Sequence, residues 1–483
     1  MAELESEQSK SVPVKKSEDF MGWYNEIVER ADLADKRYPI KGMNIWRPYG
    51  WSIMMRVDGL TRAEMERTGH DEVQFPLLIP EHLFNKEADH IKGFGGEVFW
   101  VTHAGHNKLD ERWLLRPTSE TAMYEIFGLW VRSHADLPLR VFQICNTFRY
   151  ETKQTRAFMR VREIHFFEDH SCFATYEEAE AHVEEDLAIA TNIFKRLGLP
   201  VLMSKRPEWD KFAGAHYSVG LDVIMPSGRT LQLGSVHQYR TNFSIPYEIT
   251  YEKEDGTHEH VHQTTYGMSE RVVGAVIGAH GDDRGIVLPP AVAPVQVVVV
   301  PIPFKGKEEL VLEAAQAVTE RLREAGVRVK LDDAEETPGS KYFKWELKGV
   351  PLRVEIGPRD IDGGHVMVAL RHLEKVKEKV PLGELEGGVI GLLDRVETEL
   401  MERQQAFAEE RTIEIGDIAE GKDKAGVLVG AWCGQDACAT EVETTLNVKT
   451  LGVPVDSEPD ASEDSCVTCG GPAKHWVRWA ATY

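Results

Sequence analysis

No helix or central strand can run through LPPAVAPV, residues 288–295. Three prolines remove backbone donors and fix φ, so the chain of 483 residues must break there. The stretch reads as a hinge or linker, and the sequence pattern changes across it. Beyond it, VQVVVVPI is a continuous apolar run suited to a strand buried on both faces. GKEELVLEAAQAVTERLREAG follows with Val311, Ala314, Ala315, Val318, Leu322 and Ala325 at helical spacing, and Gly326 stands where a left-handed cap belongs. VRVKLDD, PLRVEIG and HVMVALR read as strands, KYFKWELKG as a helix, and a last helix covers much of 386–411. This alternation predicts an α/β domain with helices against a mixed sheet. Before the break, helical SEDFMGWYNEIVERADL mixes with the strand-like runs VQFPLLIP, RVFQICNTFRYE, RVREIHFFED, LDVIMP and RTLQLGSVHQYRTNF. Short connections between such runs predict an α+β domain built on an antiparallel sheet flanked by helices. The expected division is a tail over 1–16, then domains over 17–285, 286–400 and 401–483.

The last of these holds the cysteine pattern. C-x4-C (Cys433, Cys438) and C-x2-C (Cys466, Cys469) suit four thiolates in a closed tetrahedral zinc site. No position is left open for catalysis, so the site reads as structural. The alternative is four unrelated cysteines. The N-terminal stretch is polar and lacks a signal-peptide core, and no run approaches the roughly 20 apolar residues of a membrane span. The chain therefore reads as cytoplasmic. Its net charge of −23 argues against a general nucleic-acid coat, so any polyanion must be met by local basic patches.

FRYETKQTRAFMRVRE, residues 148–163, is one such patch. Two strand-like arms and a loop predict a hairpin. Arg149 and Glu151 would share one face, Phe148 and Tyr150 the other, and Arg160 and Arg162 would share a face on the returning arm. Guanidinium forks so arranged bind phosphate oxygens bidentately, although a salt-bridged outer hairpin fits the same residues. In LLRPTSETAMYEIFGLW, Ser119 precedes a helix with Glu120 in its first turn. Thr118 and Glu120 form either a good cap or a pocket for an ammonium group. In TLQLGSVHQYRTNF, Gln232, Ser235 and His237 surround Gly234, where a ligand or another backbone can approach closely. In TYGMSERVVGAVIGAHGDD, Ser269 opens an apolar helix with Arg271 in its first turn, a cation opposing the helix dipole unless an anion offsets it. HAGH, 103–106, lacks the strand-then-helix setting of a nucleotide signature, and no GxxxxGK[ST] loop is present.

Taken in order, these segments resemble class II aminoacyl-tRNA synthetases, and most closely the prolyl family of archaeal and eukaryotic-cytoplasmic type. GHDEVQFPLLIP resembles motif 1 with Pro76, FRYETKQTRAFMRVREI motif 2, and GMSERVVGAVIGAHGDDRGIVLPP motif 3. RPTSETAMY and KFAGAHY are similar to substrate-pocket segments, and the final Tyr483 is similar to the family's C-terminal tyrosine, whose carboxylate lies near the active site. The resemblance implies a class II catalytic domain, an α/β anticodon-binding domain and a small zinc-containing C-terminal α/β domain. It also implies a homodimer through motif 1 and no bacterial editing insertion between motifs 2 and 3. It implies ATP as substrate, Mg2+, structural Zn2+, and proline and its tRNA as partners. By motif match, Arg149 would bridge the proline carboxylate and the α-phosphate. Arg160 and Arg271 would hold the outer phosphates, with Glu151, Gln232, Ser235 and Ser269 around nucleotide and Mg2+. Thr118, Glu120 and His237 would grip the imino acid between Phe166 and Phe212, and the aromatics of motif 2 would stack adenine. Glu346 and Arg353 are the candidate anticodon contacts. Ser235 and Val161 stand where threonine is expected, and Phe166 where tryptophan is. A synthetase for another small amino acid, such as threonine, would use zinc in its amino-acid pocket, far in sequence from these cysteines. A catalytically silent, RNA-binding or regulatory paralogue is the other alternative, against which intact Arg149, Glu151, Arg160 and Arg271 argue.

Overall fold

A computed structural model describes residues 13–86, 96–457 and 460–483. Its centre is a run of antiparallel strands in the order Leu202–Lys205, Tyr217–Ile224, Thr230–Arg240, His262–Ser269, Glu163–Phe173 and Leu139–Phe148. Tyr217–Ile224 is buried along its whole length, and its β-branched and aliphatic residues suit a strand covered on both faces. The Tyr176–Arg196 helix lies against this sheet. Thr175 caps it by accepting from the Glu178 amide at 3.2 Å, and the Glu178 carboxylate accepts from the Thr175 amide at 3.1 Å. The Phe20–Arg30 helix sinks Trp23, Tyr24, Ile27 and Val28 into the same core, together with the Arg271–His280 helix. The expected tail 1–16 lies mostly outside the described residues. Its last residue, Lys16, donates from Nζ to the carbonyls of Ala279 (3.2 Å) and Gly281 (2.6 Å).

LPPAVAPV is not a free hinge. Leu288, Val292 and Ala293 are buried in the catalytic core, and the Arg328 side chain donates to the carbonyls of Pro290 and Ala293. The proline-rich composition ends regular structure there, but burial of its aliphatic side chains fixes the path. After it, Val297–Pro301 pairs in parallel with Val329–Leu331 and Leu352–Ile356, while His365–Leu370 and Lys377–Pro381 complete an antiparallel edge. This is the expected mixed sheet, with Lys377–Pro381 an added strand. The expected divide at 400/401 falls inside a single helix, Leu385–Glu410. Leu393 and Val396 of that helix pack on the mixed sheet, Gln404 donates to the Ala279 carbonyl, and Ala408 meets Leu451 and Ala480 of the next domain.

The C-terminal strands do not form an isolated sheet. Thr412–Glu414, Val427–Trp432, His475–Ala480 and Lys449–Pro454 join the central sheet where Val453 and Pro454 pair with Lys205 and Ser204, giving eleven strands in one order. Gly452 makes the junction, with φ +116 and the Lys205 carbonyl 1.9 Å from where a Cβ would sit. None of the described helices is long and apolar enough to cross a membrane.

Candidate active site

The cavity of about 340 Å³ on one face of the central sheet gathers the catalytic-domain residues that the motif match assigned to proline and nucleotide. Thr118, Glu120, Arg149, Glu151, Arg160, Phe166, Phe212, Gln232, Ser235, His237, Ser269 and Arg271 all line it. They arrive from six segments because the strands carrying them are neighbours in the sheet.

The arginines come from the motif 2 connection, and here the expected strand alternation fails. The two strands stop at Phe148 and Glu163, so residues 149–162 form a closed loop rather than two flat arms. Its backbone is held by Arg149 N to the Arg162 carbonyl (2.9 Å) and an isolated bridge between Arg156 and Arg160. Consequently Arg160 and Arg162 do not share a face. Arg160 turns into the cavity and pairs with Glu151 at 2.7 Å, while Arg162 bonds the Glu151 carbonyl and lies over the Tyr150 ring at 4.1 Å. Phe148 is buried as expected, but Tyr150 is largely exposed on the surface. Phe158 belongs to the core against Trp46, with ring centroids 4.5 Å apart, so the loop's aromatics brace it from behind. The adenine-stacking role expected for them is therefore not one Phe158 can fill. Met159 and Val161 are the loop's apolar residues that face the cavity.

Arg149 is anchored by its Nε to the Pro117 carbonyl at 3.1 Å. Arg271 donates from Nε to the Met159 carbonyl (2.8 Å) and from Nη1 to that of Gln232 (3.3 Å). It is the first residue of the Arg271–His280 helix, with Glu270 rather than Ser269 at the cap. Burial, then the neighbouring Arg149 and Arg160, press the Arg271 guanidinium down to about 10. Burial also lowers Arg149. Arg149 and Arg271 are held by backbone carbonyls and Arg160 by the Glu151 carboxylate; the charges of Arg149 and Arg160 act against that of Arg271, and a polyanion relieves that cost.

The other end of the cavity is a polar network with fixed carboxylates. Ser119 stands at the N-cap position of the Glu120–Trp130 helix, but its hydroxyl donates to Glu168 and makes no capping bond. Thr118 donates to Glu120, and Tyr239 donates to Glu120 at 2.8 Å. Beneath them Glu168 accepts from Ser119 and, at 3.0 Å, from Gln143 Nε2. Burial opposes its charge, but His170, Ser119 and Arg116 outweigh burial and hold Glu168 down at about 2. His237 lies between Ser235 Oγ (2.9 Å) and Ser218 Oγ (2.7 Å), with the Phe212 ring 4.7 Å away. Burial, then the cations His170, Arg149 and Arg206, keep His237 neutral, at about 3. Gly234 allows close approach of a backbone: a Cβ there would meet the Gly267 carbonyl at 2.4 Å. Gly267 in turn gives room to Phe166, whose Cζ lies 2.8 Å from the site of its missing Cβ.

Glu168, Arg206, Lys211 and Glu270 also line the cavity and were missed. Glu168 sits in the very run FFED that was read as a strand, where period 2 puts it on the face of Phe166. Arg206 carried no motif; only the fold brings it to Asp222, which it meets at 2.7 Å. Tyr483 lies along the start of the Thr230–Arg240 strand, its amide donating to the Thr230 carbonyl at 3.0 Å, two residues from Gln232.

Away from this cavity, one sulfur from each of Cys433, Cys438, Cys466 and Cys469 falls within 4.8 Å of the others. The Cys469–Cys433 separation of 3.9 Å is close to the roughly 3.75 Å between thiolates of a tetrahedral ion at about 2.3 Å. In the mixed-sheet domain, Arg353 bonds Glu346 at 2.9 Å and Glu355 at 3.1 Å and lies 3.8 Å over Tyr342. Lys341 of KYFKWELKG is buried with its Nζ on the Asp332 carbonyl at 2.8 Å.

Residues 99–280 match the family described as tRNA synthetase class II core domain (G, H, P, S and T). Residues 296–391 match an anticodon binding domain, and 417–483 the prolyl-tRNA synthetase C-terminal domain. Proline--tRNA ligase of Pyrococcus abyssi is 53% identical over 477 residues, covering 97% of this chain and 98% of that one. The Methanosarcina mazei ligase is 47% identical over 99% of this chain and all of its own. A solved structure of Giardia lamblia prolyl-tRNA synthetase in complex with prolyl-adenylate superposes with a TM-score of 0.94 at 34% identity, covering 97% of this chain and 99% of that one.

Proposed function

The chain belongs to the prolyl-tRNA synthetase family of class II, and we propose that it carries out that family's two-step reaction with the residues gathered in the cavity. It is an ATP-using ligase. In the first step a carboxylate oxygen of proline attacks the α-phosphorus of ATP. The bond to the bridging oxygen breaks, and pyrophosphate leaves. In the second, the 3′-terminal ribose hydroxyl of the tRNA attacks the prolyl carbonyl and AMP leaves. Neither step needs a covalent enzyme intermediate, so positioning and charge carry the rate. The single observation that carries the assignment is the trio Arg149, Arg160 and Arg271 facing the fixed carboxylate of Glu120 across one cavity.

Arg149, anchored to a carbonyl behind it, bridges the attacking carboxylate and the α-phosphate. Arg160 and Arg271 hold the outer phosphates. Glu120, braced by Thr118 and Tyr239, takes the imino nitrogen, whose two protons match its acceptors. Neutral His237 and the rings of Phe166 and Phe212 enclose the pyrrolidine. The oxygens of Glu151, Gln232 and Ser269 form a hard donor set suited to Mg2+, with Ser235 on the nucleotide. When bound, Mg2+ neutralises charge on the outer phosphates. The four cysteines fit a structural Zn2+ by donor chemistry and spacing, and the domain division at 285 and 400 follows the function of each part. Glu346 and Arg353 serve the anticodon.

The enzyme acts in the cytoplasm as a homodimer through the motif 1 face. Supporting the dimer, Pro76, Leu78, Ile126 and Trp130 line one apolar groove, and Leu78 and Trp130 are exposed, as are their chain neighbours Leu77 and Leu129. Pyrophosphate exchange measured with each of the twenty amino acids tests the reading: proline alone should support rapid exchange. Exchange with threonine in place of proline, or with none, overturns it.

A further inference from the structure

On the Glu163–Phe173 strand, Glu168 and His170 face the active-site network, and Asp169 between them faces the other side of the sheet. There it meets His70, which follows the Pro48–Arg67 helix, and His182 and Asp186, one turn apart on the Tyr176–Arg196 helix. All four side chains are buried. One donor atom from each lies within 4.8 Å of the others. We propose that His70, Asp169, His182 and Asp186 form a second metal site, for a divalent transition ion of the zinc type.

The hydrogen bonds set the rings for it. The Thr68 hydroxyl gives its proton to the carbonyls of Met65 (3.0 Å) and Glu64 (3.1 Å). It therefore accepts from His70 Nδ1–H at 2.9 Å, which leaves the His70 Nε2 lone pair free to ligate. His182 Nδ1 is likewise engaged, by Thr264 Oγ1 at 2.8 Å, and its Nε2 points at His70 Nε2. The carboxylates are poorly supplied with donors, His182 Nδ1 lying 3.4 Å from Asp186 Oδ2. Both oxygens of Asp186 and Oδ2 of Asp169 are buried with no hydrogen-bond partner. Only Asp169 Oδ1 has one, Ser171 Oγ at 3.0 Å. Orphaned buried oxygens are expensive, and two uncompensated carboxylates more so. His170 and Arg140 are the cations that act on Asp169, Arg140 also acts on Asp186, and Arg140 is already paired with Glu185 at 3.0 Å.

A dication balances the two aspartates. Two imidazoles with two carboxylates suit zinc, whereas calcium and magnesium favour oxygen alone. A tetrahedral ion at about 2.0–2.1 Å needs donors roughly 3.3 Å apart. The separations His70 Nε2–His182 Nε2, 2.8 Å, and His70 Nε2–Asp169 Oδ1, 3.6 Å, bracket that value. The ion would take the place of the proton shared between the rings. It would clamp two helices to the strand that carries Glu168.

The experiment uses the full chain, stripped with chelator and titrated with Co2+. Thiolate ligands add an intense near-ultraviolet charge-transfer band, which an N/O site lacks. The expected result is one equivalent bound with that band and a further equivalent bound without it. Asp186→Asn and His182→Gln should each lose the band-free equivalent, retain the other, and keep proline-dependent exchange. Zinc counted after reloading and dialysis should fall by one per chain in both variants. Wild-type protein that binds no band-free equivalent overturns the proposal, and needs no variant to do so. Retention of that equivalent by both variants also overturns it and leaves the cluster as one held by protons.

Discussion

Arg149, which we propose bridges the carboxylate and the α-phosphate, is anchored by the protein itself. Its Nε donates to the Pro117 carbonyl at 3.1 Å, which fixes the direction of the guanidinium in the cavity. Arg149→Ala should lower proline-dependent pyrophosphate exchange by roughly two to three orders of magnitude, the usual cost of one preorganised donor. Exchange at the wild-type rate would remove it from catalysis. A second residue reports on burial. Burial lifts Glu270 from its usual 4.5 to about 7, against a hydrogen bond from the His165 amide at 2.8 Å. A raised carboxyl favours the folded state while protonated, so its contribution is complete below about pH 4.5 and is lost as pH rises through 7. In melting curves from pH 4.5 to 8, wild type should lose stability relative to Glu270→Gln up to about pH 7, with no further change above. Parallel curves would show that Glu270 ionises at little cost. At this scale the sequence was informative where residue type alone names the chemistry, as with the arginines. It was silent on Glu168, whose part depends on Ser119, Gln143 and His170 closing around it.

At the scale of elements, spacing identified the helices well. Glu308–Glu324 ends just before Gly326 at φ +81, and Glu120–Trp130 starts directly after Ser119, as expected. Strand alternation in the motif 2 loop failed because the ladder ends at Phe148 and Glu163, after which local bonds rather than the pleat aim each side chain. The Pro338–Leu347 helix carries a related lesson. Lys341 and Lys344 look like a phosphate-binding pair, but Asp332 takes both, at 2.8 and 3.3 Å. The neighbouring groove is lined by Arg353, braced by Glu346, Glu355 and Tyr342, together with Arg371, Lys375 and Lys377. Braced this way Arg353 suits directional contact with a base edge. Arg353→Ala should therefore leave proline activation nearly intact and reduce charging at limiting tRNA by roughly five- to a hundredfold, the value of one bidentate guanine contact at about 1–3 kcal/mol. Transcripts with altered anticodons separate base reading from phosphate contact, which weakens all tRNAs alike. Normal charging at limiting tRNA would move the anticodon assignment elsewhere.

Across the whole molecule, the parts are tied together more closely than their order in the chain implies. Asp282 after the Arg271–His280 helix receives Arg371 of the mixed-sheet domain at 2.6 and 2.8 Å, and one helix, Leu385–Glu410, touches all three units. The C-terminal sheet reaches the catalytic sheet through Arg206, which bonds both Asp222 and the Leu451 carbonyl. Loss of the cysteine site should therefore be felt in the active site. Cys466→Ser/Cys469→Ser should abolish the thiolate-bound ion, lower the melting temperature and weaken exchange. Retained thiolate-bound metal in that double variant would refute the assignment of those ligands. The sequence by itself marked the arginines, carboxylates and cysteines as candidates, because residue type and short spacings are local; their roles toward proline and ATP came from the resemblance to the synthetase family. It also determined the helices and the buried strands, because period and turn residues are local. Only the tertiary structure decided that LPPAVAPV is buried rather than hinged, that the C-terminal strands extend the catalytic sheet, and that His70, Asp169, His182 and Asp186 meet. Each of these depends on which surfaces close over one another, and no local pattern in the chain encodes a contact between residues more than a hundred positions apart.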